Sequence, residues 1–107
     1  MSFQVTKMGY DPDHLILTLG VSGLIDTNNS SKFRDALWDL IEKNGGLSQV
    51  HLDCANLIYL SSTGIGILVD VYSQLKRLNI ELRLFFMAES TKNVIKLLGF
   101  QNILKIE

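Results

Sequence analysis

Three consecutive hydroxyl residues, Ser61, Ser62 and Thr63, stand between the apolar pair Tyr59-Leu60 and the stretch Gly64-Ile65-Gly66. Each chemistry open to them demands different neighbours. A serine nucleophile needs a base within hydrogen-bond reach and an acid that orients the base. Only His14 and His51 are available as bases. Neither belongs to a nucleophile pattern, and the stretch is not the G-x-S-x-G elbow. A phosphate-cradling loop needs a third glycine or a following lysine. The next lysine is Lys76, about three helical turns too late. A metal site would draw on His51, Asp53 and Cys54, but strand alternation sends His51 and Asp53 to one face and Cys54 to the other. That is too few converging ligands, and Cys54 reads as a small buried hydrophobe. Asp26, in a loop ending Thr27-Asn28-Asn29, can meet a polar ligand but specifies none.

A serine can also be the substrate of another protein. Ser62 lies just before an expected helix start, where free N–H groups and the helix dipole favour an anion by up to about 1 kcal/mol at exposed sites. A phosphate on Ser62 is therefore compatible with its own fold. At an interface it adds about −1.5 to −2 charges and a desolvation cost. The plainer role for Ser61 or Ser62 is that of helix N-cap, worth about 1 kcal/mol. The two roles can share one residue or fall on neighbours. Ile67 lies nearly opposite Ile65 on the helical wheel. It is a candidate contact for another protein, or a residue covered by a second helix.

The elements that position these residues follow from periodicity. Residues 3–8 and 14–20 alternate or run apolar and bracket Gly9-Tyr10-Asp11-Pro12-Asp13, which predicts a hairpin. Residues 20–29 read as a loop with two glycines. A helix is expected over 30–44, with Phe33, Ala36, Leu37, Leu40 and Ile41 on one face, Ser30 or Ser31 as N-cap and Gly45-Gly46 as the stop. Trp38 falls on its flank. Residues 50–54 form a strand, and Ala55 to Ile58 cross over to the hydroxyl stretch. A second helix spans 63–78, with a stripe of Ile65, Leu68, Val69, Tyr72 and Leu75. Residues 80–87 form a central strand. Ser90 caps a short helix ended by Gly99, and 100–106 close with a strand. The order ββαβαβαβ implies an α/β domain whose sheet is mostly parallel with one antiparallel part.

Composition narrows the partners. The chain has 107 residues, 47% hydrophobic and 20% charged, which suits one globular domain with its own core. A formal net charge of −1, with scattered basic residues, argues against nucleic acid or an anionic membrane surface. One cysteine precludes an intrachain disulfide. The start lacks a signal-peptide pattern, and no apolar run reaches membrane-spanning length. A cytoplasmic protein is expected.

The segment VHLDCANLIYLSSTGIGILVDVYSQLK resembles the STAS domain of anti-sigma factor antagonists. Asp53 matches the family's first aspartate, Ser62 its phosphorylated serine, Thr63 the following residue, and Gly64 and Gly66 its glycine pair. VSGLIDTNNSSKF supplies the family's loop glycine and aspartate, Gly23 and Asp26. ESTKNVIKLLGFQNILKI resembles its last helix and strand. The resemblance implies a single STAS domain over 1–107, with a mixed, mostly parallel sheet flanked by helices. It also implies an anti-sigma factor antagonist that catalyses nothing and carries no cofactor or metal. Such a protein binds an anti-sigma factor that is a serine kinase, lets go once Ser62 is phosphorylated with ATP, and is restored by a serine phosphatase. The surface read by the partner would comprise Asp26, Ser61, Ser62, Thr63, Gly64, Ile65 and Ile67. The sequence departs from the family in having Ser61 in place of an acidic residue and Thr63 in place of a serine. Other STAS domains are scaffolds of large signalling complexes or cytoplasmic regulators of anion transporters. The short chain without a membrane segment sets the transporter case behind the antagonist.

Overall fold

In the computed structural model, which describes residues 2–107, the first two strands pair further than local turn chemistry suggests. β1 (Phe3–Asp11) and β2 (Ile16–Ile25) form an antiparallel ladder from Phe3↔Gly23 to Asp11↔Ile16, with a bulge at Met8 that absorbs one residue. The turn is thus displaced from 9–13 to 12–15, and His14 lies in it rather than in β2. Asp11 builds this turn. Its Oδ1 accepts the N–H groups of Asp13 and His14 at 3.0 and 3.3 Å, and its Oδ2 lies 2.8 Å from His14 Nδ1.

The expected loop over 20–29 is mostly strand, because its glycines serve close approach rather than flexibility. A Cβ on Gly20 would lie 2.9 Å from the Met8 sulfur of β1. Gly23, at φ +92°, would drive a side chain into the Ser2 carbonyl. Only 26–29 remain as a loop.

β2, β3 (Gln49–Leu60), β4 (Glu81–Phe85) and β5 (Lys105–Ile106) are parallel, and the five strands lie in the order β1-β2-β3-β4-β5. β3 is far longer than the 50–54 expected. Beyond Asp53, the last residue paired with β4, it continues against β2 to Leu60↔Ile25 through two irregularities, the second leaving Ile58 unpaired. β5 is shorter than expected, because residues 101–103 form a turn.

Helices α1 (Ser30–Glu42), α2 (Ser62–Arg77) and α3 (Glu89–Leu97) make the crossovers. All three connections advance in one direction, so right-handed crossovers set every helix on the same face. Burial agrees. Leu17, Leu19 and Val21 of β2, Val50, Leu52 and Cys54 of β3, and Leu82 and Leu84 of β4 are buried, while Thr18, His51, Asp53, Arg83 and Phe85 between them are half-buried on the open face. α1 contributes Phe33, Leu37 and Ile41, with Ala36, Trp38 and Leu40 at the flanks. α2 contributes Gly64, Ile65, Leu68, Val71 and Leu75. Val71 replaces the expected Val69 and Tyr72, which are half-buried.

Helix ends differ in how they are capped. The N-cap of α1 is Asn29, without a side-chain cap bond, and the buried Ser30 hydroxyl instead donates to the Thr27 carbonyl at 3.1 Å. α3 starts after Ala88, again without a side-chain cap, so Ser90 is not its cap. Gly99 ends it at φ +84°, where glycine avoids the Cβ penalty.

Candidate functional site

β2 and β3 end together at the carboxyl edge of the sheet, with Leu60 paired to Ile25, and the chain leaves them there at Asp26 and Ser61, whereas β4 stops level with Asp53, short of that edge. In open α/β sheets ligand crevices form at this edge where strand order reverses. Here the order β2-β3-β4-β5 never reverses, so the edge presents a surface.

The start of α2 is fixed from both directions. The Ser61 N–H donates to the Ile25 carbonyl at 2.9 Å, tying it to the end of β2. Its extended backbone (φ −69°, ψ 164°) turns the chain into the helix, and its hydroxyl accepts the Gly64 N–H at 3.1 Å. Ser61 is the N-cap and is only 7% exposed. α2 therefore begins at Ser62, one residue earlier than periodicity alone gives.

The three hydroxyls part company at this point. Ser61 is buried and spent on the cap. Ser62 is exposed, and its hydroxyl has no hydrogen-bond partner among the described residues. Thr63 is exposed, with its Oγ1 3.4 Å from Thr27 Oγ1 on the facing loop.

That loop is braced internally. Asp26 Oδ1 accepts the N–H groups of Asn28 and Asn29 at 2.9 and 3.0 Å, while the Asp26 N–H donates to Asn29 Oδ1 at 2.8 Å. Asn29 Nδ2 donates to the Leu24 carbonyl at 2.9 Å. The Asp26 carboxylate thus shapes the loop, and Thr27 is the loop residue that reaches α2.

The other candidate residues divide by burial. Gly64 is buried, and a Cβ there would lie 2.5 Å from Leu60 Cδ1 and 3.2 Å from Ile25 Cγ2. Gly66 faces open space. Ile65 is 0% exposed, a core residue whose side chain offers a partner no surface. Ile67 is half-buried and packed on the core margin rather than projecting freely. Ile58, 74% exposed, and the exposed Tyr59 stand beside the hydroxyls at the end of β3. A bulge re-aims side chains, and here it interrupts the alternation that would have buried one of the pair. Sequence reading missed Thr27, Ile58 and Tyr59 because this register is set by β2, not by local pattern.

Neither histidine stands near the serines. His14 is in the turn at the far end of β2, and His51 Nε2 lies 2.7 Å from Gln49 Oε1 on the open face. Burial, and then the charge of Arg83, hold the His51 pKa below its ordinary value. Cys54 points into the core while His51 and Asp53 line the open face, so these three do not converge. Burial, with a smaller push from Asp53, raises the Cys54 thiol to about 12.

Comparison with known proteins agrees with this architecture. A family model for the STAS domain matches residues 10–107. The anti-sigma-B factor antagonist of Listeria monocytogenes is 28% identical over 107 residues, covering 100% of this chain and 90% of the relative. Phosphorylated SpoIIAA, a Bacillus cell fate determinant, superposes with a TM-score of 0.66 at 14% identity, over 99% of this chain and 91% of its own. The murine anion transporter Slc26a9 does so with a TM-score of 0.72 at 18% identity, over 84% of this chain and 15% of the transporter. The two structural likenesses establish the fold alone.

Proposed function

The chain belongs to the STAS domain family, and on that premise we propose that it is an anti-sigma factor antagonist, a single domain over 1–107 that is switched by phosphorylation of Ser62. The curated Listeria monocytogenes relative carries the antagonist name along its length, and the Bacillus neighbour is known in a phosphorylated form. The observation that carries the reading is the different standing of three adjacent hydroxyls. Ser61 is buried under its own cap bond and Thr63 leans on Thr27, whereas Ser62 is free and exposed.

In the transfer step Ser62 Oγ forms a bond to the γ-phosphorus of ATP. The bond from that phosphorus to the bridging oxygen breaks, the hydroxyl proton passes to a base on the kinase, and ADP leaves. The product adds about −1.5 to −2 charges to the contact surface. The helix start tolerates that charge, while a partner surface fitted to a neutral serine does not. Binding is thereby lost without loss of fold. A serine phosphatase resets the switch. The antagonist catalyses no step and acts in the cytoplasm; among the described residues no helix is long and apolar enough to cross a membrane.

The test is a pull-down from the source cell with wild type, Ser62→Ala and Ser62→Asp. Ser62→Ala retains a kinase-like partner and Ser62→Asp loses it. Equal recovery with all three sinks the switch. Mass spectrometry after incubation with that partner and ATP locates the phosphate, and finding it only on Ser61 or Thr63 refutes the assignment.

A further inference from the structure

We propose that Thr27 is a positioning residue that directs phosphorylation to Ser62 by engaging the neighbouring Thr63 hydroxyl. The inference rests on the reading that Ser62 is a kinase substrate. Ser62 and Thr63 are both exposed in the first turn of α2, so exposure alone does not choose between them. They differ in what their oxygens meet: Thr63 Oγ1 faces Thr27 Oγ1 at 3.4 Å, and Ser62 Oγ faces solvent.

The Thr27–Thr63 contact is built in by bonds on both sides. Asp26 and Asn29 close the loop on itself, and buried Ser30 holds the Thr27 carbonyl at 3.1 Å. Opposite, Leu60↔Ile25 pairing and the bond from the Ser61 N–H to the Ile25 carbonyl fix where α2 begins. The two threonines are thus brought together by the frame. A separation of 3.4 Å is long for an O–H···O bond, so the contact biases the choice of acceptor and does not block Thr63 outright. To accept a phosphoryl group, Thr63 Oγ1 must leave Thr27 and turn to the γ-phosphorus of the nucleoside triphosphate. Ser62 Oγ has no such bond to give up.

Wild type, Thr27→Val and Thr27→Ser are each produced in the source cell, and phosphate is located by tandem mass spectrometry. Valine keeps the shape of threonine and removes the hydroxyl; serine keeps the hydroxyl. In wild type the phosphate sits on Ser62. In Thr27→Val the ratio of Thr63 to Ser62 phosphate rises about twofold, the low end of a hydrogen bond's worth, as suits a long contact between exposed hydroxyls. Thr27→Ser restores the wild-type ratio, which a purely steric role for Thr27 would not produce. An unchanged ratio in Thr27→Val, or a Thr27→Ser variant that behaves like it, overturns the inference and leaves the Ser62 switch standing. Wild-type protein with phosphate on neither residue overturns the switch itself, and the inference with it.

Discussion

The Ser61 hydroxyl accepts the Gly64 N–H at 3.1 Å, next to a Ser62 side chain that stands in solvent. One residue closes the helix end and its neighbour is displayed by it. Capping and presentation therefore fall on adjacent serines, and substitutions separate them.

Ser61→Ala loses about 1 kcal/mol of stability, the ordinary worth of an N-cap. Ser61→Asp keeps it, since aspartate caps as well as serine and its charge suits a helix N-terminus. Urea unfolding of the three proteins measures this. An alanine variant as stable as wild type would show that the cap bond contributes nothing.

Ser62→Asp leaves the fold intact. A negative charge in the first turn of α2 is neutral or stabilising by about 0.3–1 kcal/mol at low ionic strength. The melting temperature accordingly stays level or rises slightly, and the gain shrinks with added salt. A clear fall would mean that any lost binding by this variant reflects unfolding rather than a switched surface.

The two glycines of the motif behave oppositely. Gly64→Ala puts a methyl against Leu60 and Ile25 in the core and costs about 1–3 kcal/mol as overpacking. Gly66 has nothing within contact of an added Cβ, so Gly66→Ala gains roughly 0.5–1 kcal/mol from helix propensity. Equal effects at the two positions in chemical denaturation would contradict this packing.

Ile58→Asp changes stability by less than about 0.5 kcal/mol, as expected for a surface position. Adjacent exposed apolar residues mark an interaction surface, and Ile58 and Tyr59 form such a pair beside the proposed switch. The same variant should therefore recover less of the partner that Ser62→Ala retains. Undiminished recovery would place Ile58 outside the interface.

Alkaline pH destabilises the protein in part through Cys54. The folded thiol stays protonated to about 12, while the unfolded thiol ionises from 9.0. Above pH 9 the unfolded chain holds fewer protons than the folded one, so this contribution to stability falls as pH rises from about 9 to about 12. Denaturation midpoints measured across that window decline less steeply in Cys54→Ala than in wild type. Parallel slopes would show that the buried thiol does not matter. At pH 8 the native thiol resists a thiol reagent and the unfolded one reacts.

The apolar run through Leu17 and Leu19, and the short run from Val50 to Cys54, identified two of the strands, and the structure shows Leu17, Leu19, Val50, Leu52 and Cys54 on their buried face. The spacing of Phe33, Leu37 and Ile41, and of Ile65, Leu68 and Leu75, identified helices. These are local periodicities of the chain, fixed by backbone geometry, and they set the order ββαβαβαβ before any packing is known. The motif from Asp53 to Gly66 likewise singled out the start of α2 as the candidate site, because residue types at fixed spacing survive in the linear text. The sequence did not tell Gly20 and Gly23, pressed against β1, from loop glycines. It did not show that β3 runs on to Leu60, that Ile65 is wholly buried, or that Thr27 meets Thr63 across 36 residues. Each of these depends on a neighbour distant in sequence. Pairing with β2 overrides local turn signals, and the same pairing decides which of three like hydroxyls is buried, which is held and which is left free.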